Sequence, residues 1–194
     1  GCPVDSHGQS KDTDGDGKAD KQIVWADGLH IPVGFELATE GVYVSQGTNL
    51  VLLSDTDGDD KADKKEILLS GFDDHDTHHV ISAFAADPSG SIYMGEGVFL
   101  HTNVETPYGT VRATNGGFYR YNPTRHHLER VAQISIPNPW GIAFDKWGQN
   151  FFLETSGPAL RWMMPSSIKP AYGVGSPKSR DLAPDPHKVR PTSG

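Results

Sequence analysis

Most of the apolar residues of this chain fall in short β-branched or aromatic runs, each closed off by Gly, Pro, Asn or Asp. Six runs stand out: GVYVSQG at 41–47, NLVLLSD at 49–55, EILLSGF at 66–72, SIYMGEG at 91–97, GGFYRYNP at 116–123 and NFFLETSG at 150–157. Runs of this length and composition between turn-forming residues predict strands joined by tight turns. No segment sustains the 3.6-residue apolar period of an amphipathic helix, which argues against helical repeats and bundles. The pattern predicts an all-β chain.

The pattern also repeats. DTDGDGKADK at 12–21 returns as DTDGDDKADK at 55–64, a displacement of 43 residues, and each copy is followed by a strand-like run (IVWADGL, EILLSGF). A second unit, strand then Asp-x-x-Gly turn then strand, occurs as AADPSGSIYM at 85–94 and AFDKWGQNFFL at 143–153. ELATEGVYV at 36–44 has the same shape without the Asp. A period of roughly 40–50 residues made of strands and turns is that of propeller blades. Three to four such units fit the chain, whereas propellers close with about four to eight. The expected architecture is therefore a partial β-propeller, a section of a larger body. Residues 1–11 read as an N-terminal tail, 12–165 as blades, and the Pro/Gly/Ser-rich 166–194 as an irregular connection to a further blade. Aligning the three related units puts Gln46, Glu96 and Glu154 at one strand-end position. Such a residue either points toward a central channel or ends its strand in solvent.

Composition narrows the function classes. No run approaches the roughly 18 apolar residues of a membrane span, so no transmembrane segment is expected. The first residues lack the basic-then-apolar pattern of a signal peptide, although a trimmed chain would have lost one. The lone Cys2 excludes an internal disulfide, a Cys-based zinc or iron–sulfur site and a CxxCH haem attachment. The formal charge of −8 is concentrated: nine of the 25 acids lie in the two Asp-rich repeats, and the rest of the chain is nearly neutral. Phosphate backbones would be repelled there and no basic stripe exists elsewhere, so nucleic acid is excluded as a partner.

The acidic repeats have the front half of a calcium loop: Asp at positions 1, 3 and 5, then an acid at position 9. The candidate ligands are Asp12, Asp14, Asp16, the Lys18 carbonyl and Asp20 in the first copy. In the second they are Asp55, Asp57, Asp59, the Lys61 carbonyl, Asp63 and, at position 12, Glu66. The first copy has Ile23 at that last position, and the second has Asp60 where Gly is usual. Strand flanks rather than helices make these structural calcium sites within hairpins. An unoccupied acidic turn is the alternative, and repulsion among clustered carboxylates favours a cation.

GFDDHDTHHVISAFAADPSG at 71–90 packs three histidines and three aspartates between Asp73 and His79. A metal site, a general base with an orienting carboxylate, and a polar loop are all open on composition. Histidine suits proton abstraction near neutral pH, and a nearby Asp can fix its tautomer. His79, His78 and Asp76 are the catalytic candidates. His126 and His127 are read as solvated, Arg112 and Arg120 as partners of loop acids, and Trp140, Trp147 and Trp162 as packing between blades, with a sugar-lining role as the alternative for one of them.

DTDGDGKAD, ADGLHIPVGFEL, GFDDHDTHHVISAFAADPSGSIYMGEGVF, VETPYGTVRATNGGFYRY and NPWGIAFDKWGQNFF together resemble the bacterial membrane-bound dehydrogenase domain family, related to the soluble glucose/sorbosone dehydrogenases. The resemblance runs over residues 12–194 and implies a six-bladed propeller, calcium, a periplasmic or extracellular and membrane-associated setting, and pyrroloquinoline quinone (PQQ) as redox cofactor. In those relatives a histidine nine residues before the Pro of a G-P-D-G-like turn takes the substrate hydroxyl proton; counting back from Pro88 gives His79. Their R-N-P-x-G-like segment corresponds to Pro137, Asn138, Pro139, Trp140 and Gly141, with the arginine absent. Asn138, Trp140 and Glu96 are the candidate cofactor contacts. The implied partners are a sugar or alcohol substrate and a cytochrome c electron acceptor.

The leading expectation is a section of a quinoprotein-type sugar or alcohol dehydrogenase. The alternatives are a non-catalytic, calcium-stabilised propeller binding carbohydrate or protein at the bacterial surface, and a hydrolase or lyase using His78 or His79 with Glu96.

Overall fold

The computed structural model describes residues 7–156 and 159–163, and every regular element among them is a β-strand in an antiparallel sheet. The 166–194 connection lies outside the described residues. β1 (His7–Lys11) and β2 (Lys21–Ala26) form a hairpin closed by the first acidic repeat, with Lys11 opposite Lys21. Residues 7–11, read from the sequence as tail, are thus half of that hairpin.

A four-stranded meander follows: β3 (Phe35–Ala38), β4 (Gly41–Gln46), β5 (Asn49–Ser54) and β6 (Lys64–Ser70), in that spatial order. The second acidic repeat closes the β5–β6 hairpin, so both repeats do the same structural job. β7 (Ser82–Ala86) and β8 (Ile92–Glu96) open the next sheet. The chain then leaves as a separate hairpin of β9 (Asn103–Thr106) and β10 (Gly109–Arg112). It returns as β11 (Gly117–Asn122) and β12 (His127–Ala132), giving the order β7-β8-β11-β12. β13 (Pro139–Phe144), β14 (Asn150–Glu154) and β15 (Ala159–Trp162) form a three-stranded sheet.

Consecutive sheets are packed face to face, which explains why their central strands are not simply alternating. β8 is buried at every position, because both of its faces are covered. Ile92, Met94, Tyr119 and Tyr121 pack with Tyr43, Leu50 and Leu69 of the preceding sheet. Tyr93, Phe118 and Ala132, on the opposite face, pack with Phe152 and Met163 of the following one. Trp25, Ala26 and Leu29 of the first hairpin region cover the remaining face of the β3–β6 sheet through Val42, Val44, Val51 and Leu53. β7 lies against β3 on one side and β13 on the other, so the first strands of the three larger sheets are neighbours.

For Trp140 and Trp147 the structure corrects the packing expectation, whereas Trp162 is half-buried. Trp140 and Trp147 are 49% and 79% exposed, and among the four it is Trp25 that is buried between layers. Arg120 does pair with acids: its Nε donates to Asp87 Oδ2 at 2.8 Å and its Nη1 to Glu129 Oε1 at 3.0 Å. Arg112 instead donates from Nε to Asn103 Oδ1. His126 is exposed, whereas His127 is half-buried with its ring against Tyr108.

Candidate functional site

The segment 71–81 enters β7 through a chain of aspartate-capped turns. Asp73 Oδ1 accepts from His75 N and its Oδ2 from His101 N, at 3.0 and 2.7 Å. Asp76 Oδ1 accepts from His78 N at 3.2 Å, and His79 N closes a turn onto Asp76 O at 3.0 Å. Asp and Asn favour this arrangement because a short acceptor side chain reaches the backbone two residues on. The turn sets His79 Nδ1 3.1 Å from Asp76 Oδ2, without the alignment of a hydrogen bond.

The histidines diverge although both lie in the turn before β7 and not on an extended strand. His78 is 87% exposed, while the His79 side chain keeps only 12% exposure. The His79 ring sits on Gly97, where a Cβ would come within 2.8 Å of its Cβ and Cγ and 2.6 Å of Pro137 O. Gly97 N donates to His79 O at 2.8 Å, so the end of β8 and the histidine are locked together. Phe99, in the left-handed region at φ 74°, places its ring 5.8 Å from the imidazole.

Glu96 lies just before that glycine and is fully buried. Thr102 Oγ1 donates to its Oε1 and Tyr119 OH to its Oε2, the latter at 2.8 Å. Burial pushes its carboxyl up to about 7; the two donors work against this and the nearby Asp73 charge adds to it. For Asp73 burial also raises the pKa, but the His101 and His75 amides and imidazoles outweigh it and hold the carboxyl below its ordinary value. The equivalent strand-end residues differ: Glu154 is buried and accepts from Ser156 N at 2.8 Å, and Gln46 buries an Oε1 that has no hydrogen-bond partner among the described residues. Glu96 and Glu154 end their strands buried, and Gln46 ends its strand half-buried. Glu96 itself is enclosed by Thr102 and Tyr119. Those two partners lie 6 and 23 residues along the chain, and no local sequence signal marks them.

The start of β13 reaches the same end of the molecule. Pro137 O flanks Gly97, and Ser82 Oγ donates to Pro139 O at 3.4 Å. Asn138 Nδ2 donates to Ser156 Oγ at 2.5 Å, tying β13 to the loop after β14. Trp140 is exposed on β13.

The acidic loops form two separate clusters with the same internal bonding. Asp12 accepts from Gly15 N and Gly17 N, and Asp55 from Gly58 N and Asp60 N. Those amides hold Asp12 below the ordinary carboxyl range. Asp20 and Asp63 each accept from the threonine at the head of the loop, Thr13 and Thr56, which lowers both pKa values. Carboxylate oxygens of Asp12, Asp14 and Asp20 lie within 4.8 Å of one another, as do those of Asp55, Asp57 and Asp59. Asp16 and Asp63 stand outside these trios, and so does Glu66, which pairs with Lys64 Nζ at 3.3 Å. Lys18 and Lys61 donate their amides to Asp16 and Asp59. The donor chemistry, hard oxygens converging on a curled loop, fits calcium.

A family model described as a domain of unknown function, DUF7133, matches residues 7–193. No curated protein matches the chain. Among solved structures, a luciferin-regenerating enzyme is similar with 11% sequence identity and a TM-score of 0.34; the match covers 80% of this chain and spans 62% of the length of that one.

Proposed function

The chain belongs to the DUF7133 family, a domain with no assigned function, and from that premise we propose that it forms successive blades of a β-propeller in a sugar- or alcohol-oxidising enzyme. The face-to-face packing of consecutive sheets and the neighbouring first strands β3, β7 and β13 support the propeller. The reading of function rests on one observation: His79 Nδ1 stands 3.1 Å from Asp76 Oδ2 on a ring that retains access to solvent.

A carboxylate beside Nδ1 favours the tautomer protonated there and leaves the Nε2 lone pair to accept a proton. His79 accepts the proton of a substrate hydroxyl at Nε2, and a two-electron acceptor, when bound, would take the hydride from the same carbon to leave a carbonyl. His78 points into solvent and takes no part. Gly97 and Phe99 hold the ring in place.

PQQ would supply the two-electron acceptor. Its three carboxylates call for lysine or arginine, and His79, His78, Asp76, Asn138 and Trp140 include neither, so this donor set does not fit the quinone and no residue is assigned to it. The two acidic loops are structural calcium sites in this reading. A periplasmic or extracellular setting and a cytochrome c acceptor go with it.

Reconstitution of the full-length protein with PQQ and calcium, followed by dye reduction on a panel of aldoses and polyols, tests the proposal. Substrate-dependent reduction is expected, and His79→Asn should lower it by about a hundredfold to ten-thousandfold, the range for loss of a general base. No reduction on any substrate, or undiminished turnover in His79→Asn, overturns it. Saccharide binding that survives in an inactive wild-type protein would instead favour a non-catalytic surface binder.

A further inference from the structure

At the opposite end of the β7–β8 hairpin from His79, roughly 15 Å along five residues of strand, two copies of one turn stand side by side. Asp87-Pro88-Ser89-Gly90 joins β7 to β8, and Asp145-Lys146-Trp147-Gly148 joins β13 to β14. Their construction is the same. Asp87 Oδ1 accepts from Ser89 N and Ser91 N, and Asp145 Oδ1 from Trp147 N and Gln149 N. Gly90 and Gly148 both adopt φ near 80°, at 80° and 81°. The third position differs: a serine in one copy, and in the other a tryptophan whose indole is 79% exposed.

Between the turns lies a cleft of about 320 Å³. Tyr93 and Phe144 line it, edge to face with centroids 5.0 Å apart. Its polar wall is the Arg120 guanidinium, fixed by Asp87 Oδ2, Glu129 Oε1 and Ser89 Oγ at 2.8 to 3.0 Å. Trp147 stands at the other side, with Lys146 Nζ 4.3 Å from its ring centroid.

We propose that this cleft is a binding site for a neutral oligosaccharide, stacked on Trp147 and hydrogen-bonded along the Arg120–Asp87–Ser89 wall. A pyranose presents C–H groups on its face and alternating donors and acceptors on its rim, and an indole beside a fixed row of planar polar groups matches both. The wall is held by its own hydrogen bonds before a ligand arrives, so little ordering is lost on binding. Arg120 pairs with both Asp87 and Glu129, and with Lys146 over Trp147 the four charges sum to zero, so no net charge favours an anionic ligand. A protein partner fits less well. A stable interface covers about 800 Å² per side around a dry apolar centre, whereas Trp147 is a single exposed ring among charged groups. The site is separate from the His79 end and does not depend on its chemistry.

Titration calorimetry with cellohexaose, xylohexaose, mannohexaose and maltohexaose, and with an oligogalacturonate as the charged comparison, is the test. At least one neutral hexasaccharide should bind. Trp147→Ala should weaken it by about tenfold or more, as loss of a stacked ring implies, and Trp147→Phe by less. Because Trp147 is exposed, its variants should keep the wild-type unfolding midpoint. Failure of all four neutral sugars, binding of the galacturonate alone, or equal affinity in Trp147→Ala would each refute the site.

Discussion

Glu96 shows how far one residue's environment can depart from its sequence context. Alignment of strand ends groups it with Gln46 and Glu154, and nothing local announces that its carboxyl is enclosed by Thr102 and Tyr119. Its pKa is lifted by burial to about 7 from the ordinary 4.5. The folded state therefore holds this proton more tightly than the unfolded chain. The stability it contributes is fully present below the unfolded value and is lost as pH rises toward 7, by on the order of 3 kcal/mol if the whole shift is expressed. Urea unfolding from pH 5 to 7.5 should show that decline, and Glu96→Gln should flatten it. Equal slopes in the two proteins would mean that the carboxyl is not enclosed. His79 was legible by contrast, because its proximity to Asp76 is made within one turn and depends on nothing distant.

Among the elements, the hairpins were the most readable, since turn residues and short β-branched runs carry their own instructions. Deviations from the repeat became intelligible only in three dimensions. Asp60 replaces the Gly17 of the first copy, and both adopt left-handed φ, 70° and 85°. The Asp60 carboxylate meets Lys11 Nζ of the first hairpin at 2.5 Å, so the departure from glycine links the two loops. Gly71 marks another junction: its N–H donates to Thr48 O and its carbonyl accepts from Asn103 N, joining β6 to the β9 hairpin. At φ 111° a Cβ there would lie 2.3 Å from Asn103 O. Gly71→Ala should destabilise by roughly 3 kcal/mol through strain and overpacking together. Gly90→Ala, with left-handed φ but open space around it, should lose only about 1 kcal/mol. Denaturant midpoints of the two variants decide this; comparable losses would show that the junction around Gly71 relaxes.

Over the whole molecule, the layers are held by alternating apolar faces and by a few bonds between hairpins, including Ala62 N to Trp25 O at 2.8 Å. A cation in the second acidic loop would stiffen a segment that already grips the first hairpin. Calcium that binds only the folded state stabilises it by about 2.7 kcal/mol at a hundred times its dissociation constant. The thermal midpoint should therefore rise with calcium and fall with EDTA, and Asp57→Asn should reduce the difference. Identical midpoints in calcium and EDTA would make the loops ion-free turns. The sequence alone determined the all-β class, the strand runs and the twin acidic hairpins, because each is set by residues a few positions apart. Only the tertiary structure decided which strand ends are buried, which tryptophans meet solvent, and that two Asp-x-x-Gly turns 58 residues apart flank one cleft. Those outcomes depend on how separate sheets stack, and burial is a property of distant neighbours that no local pattern encodes.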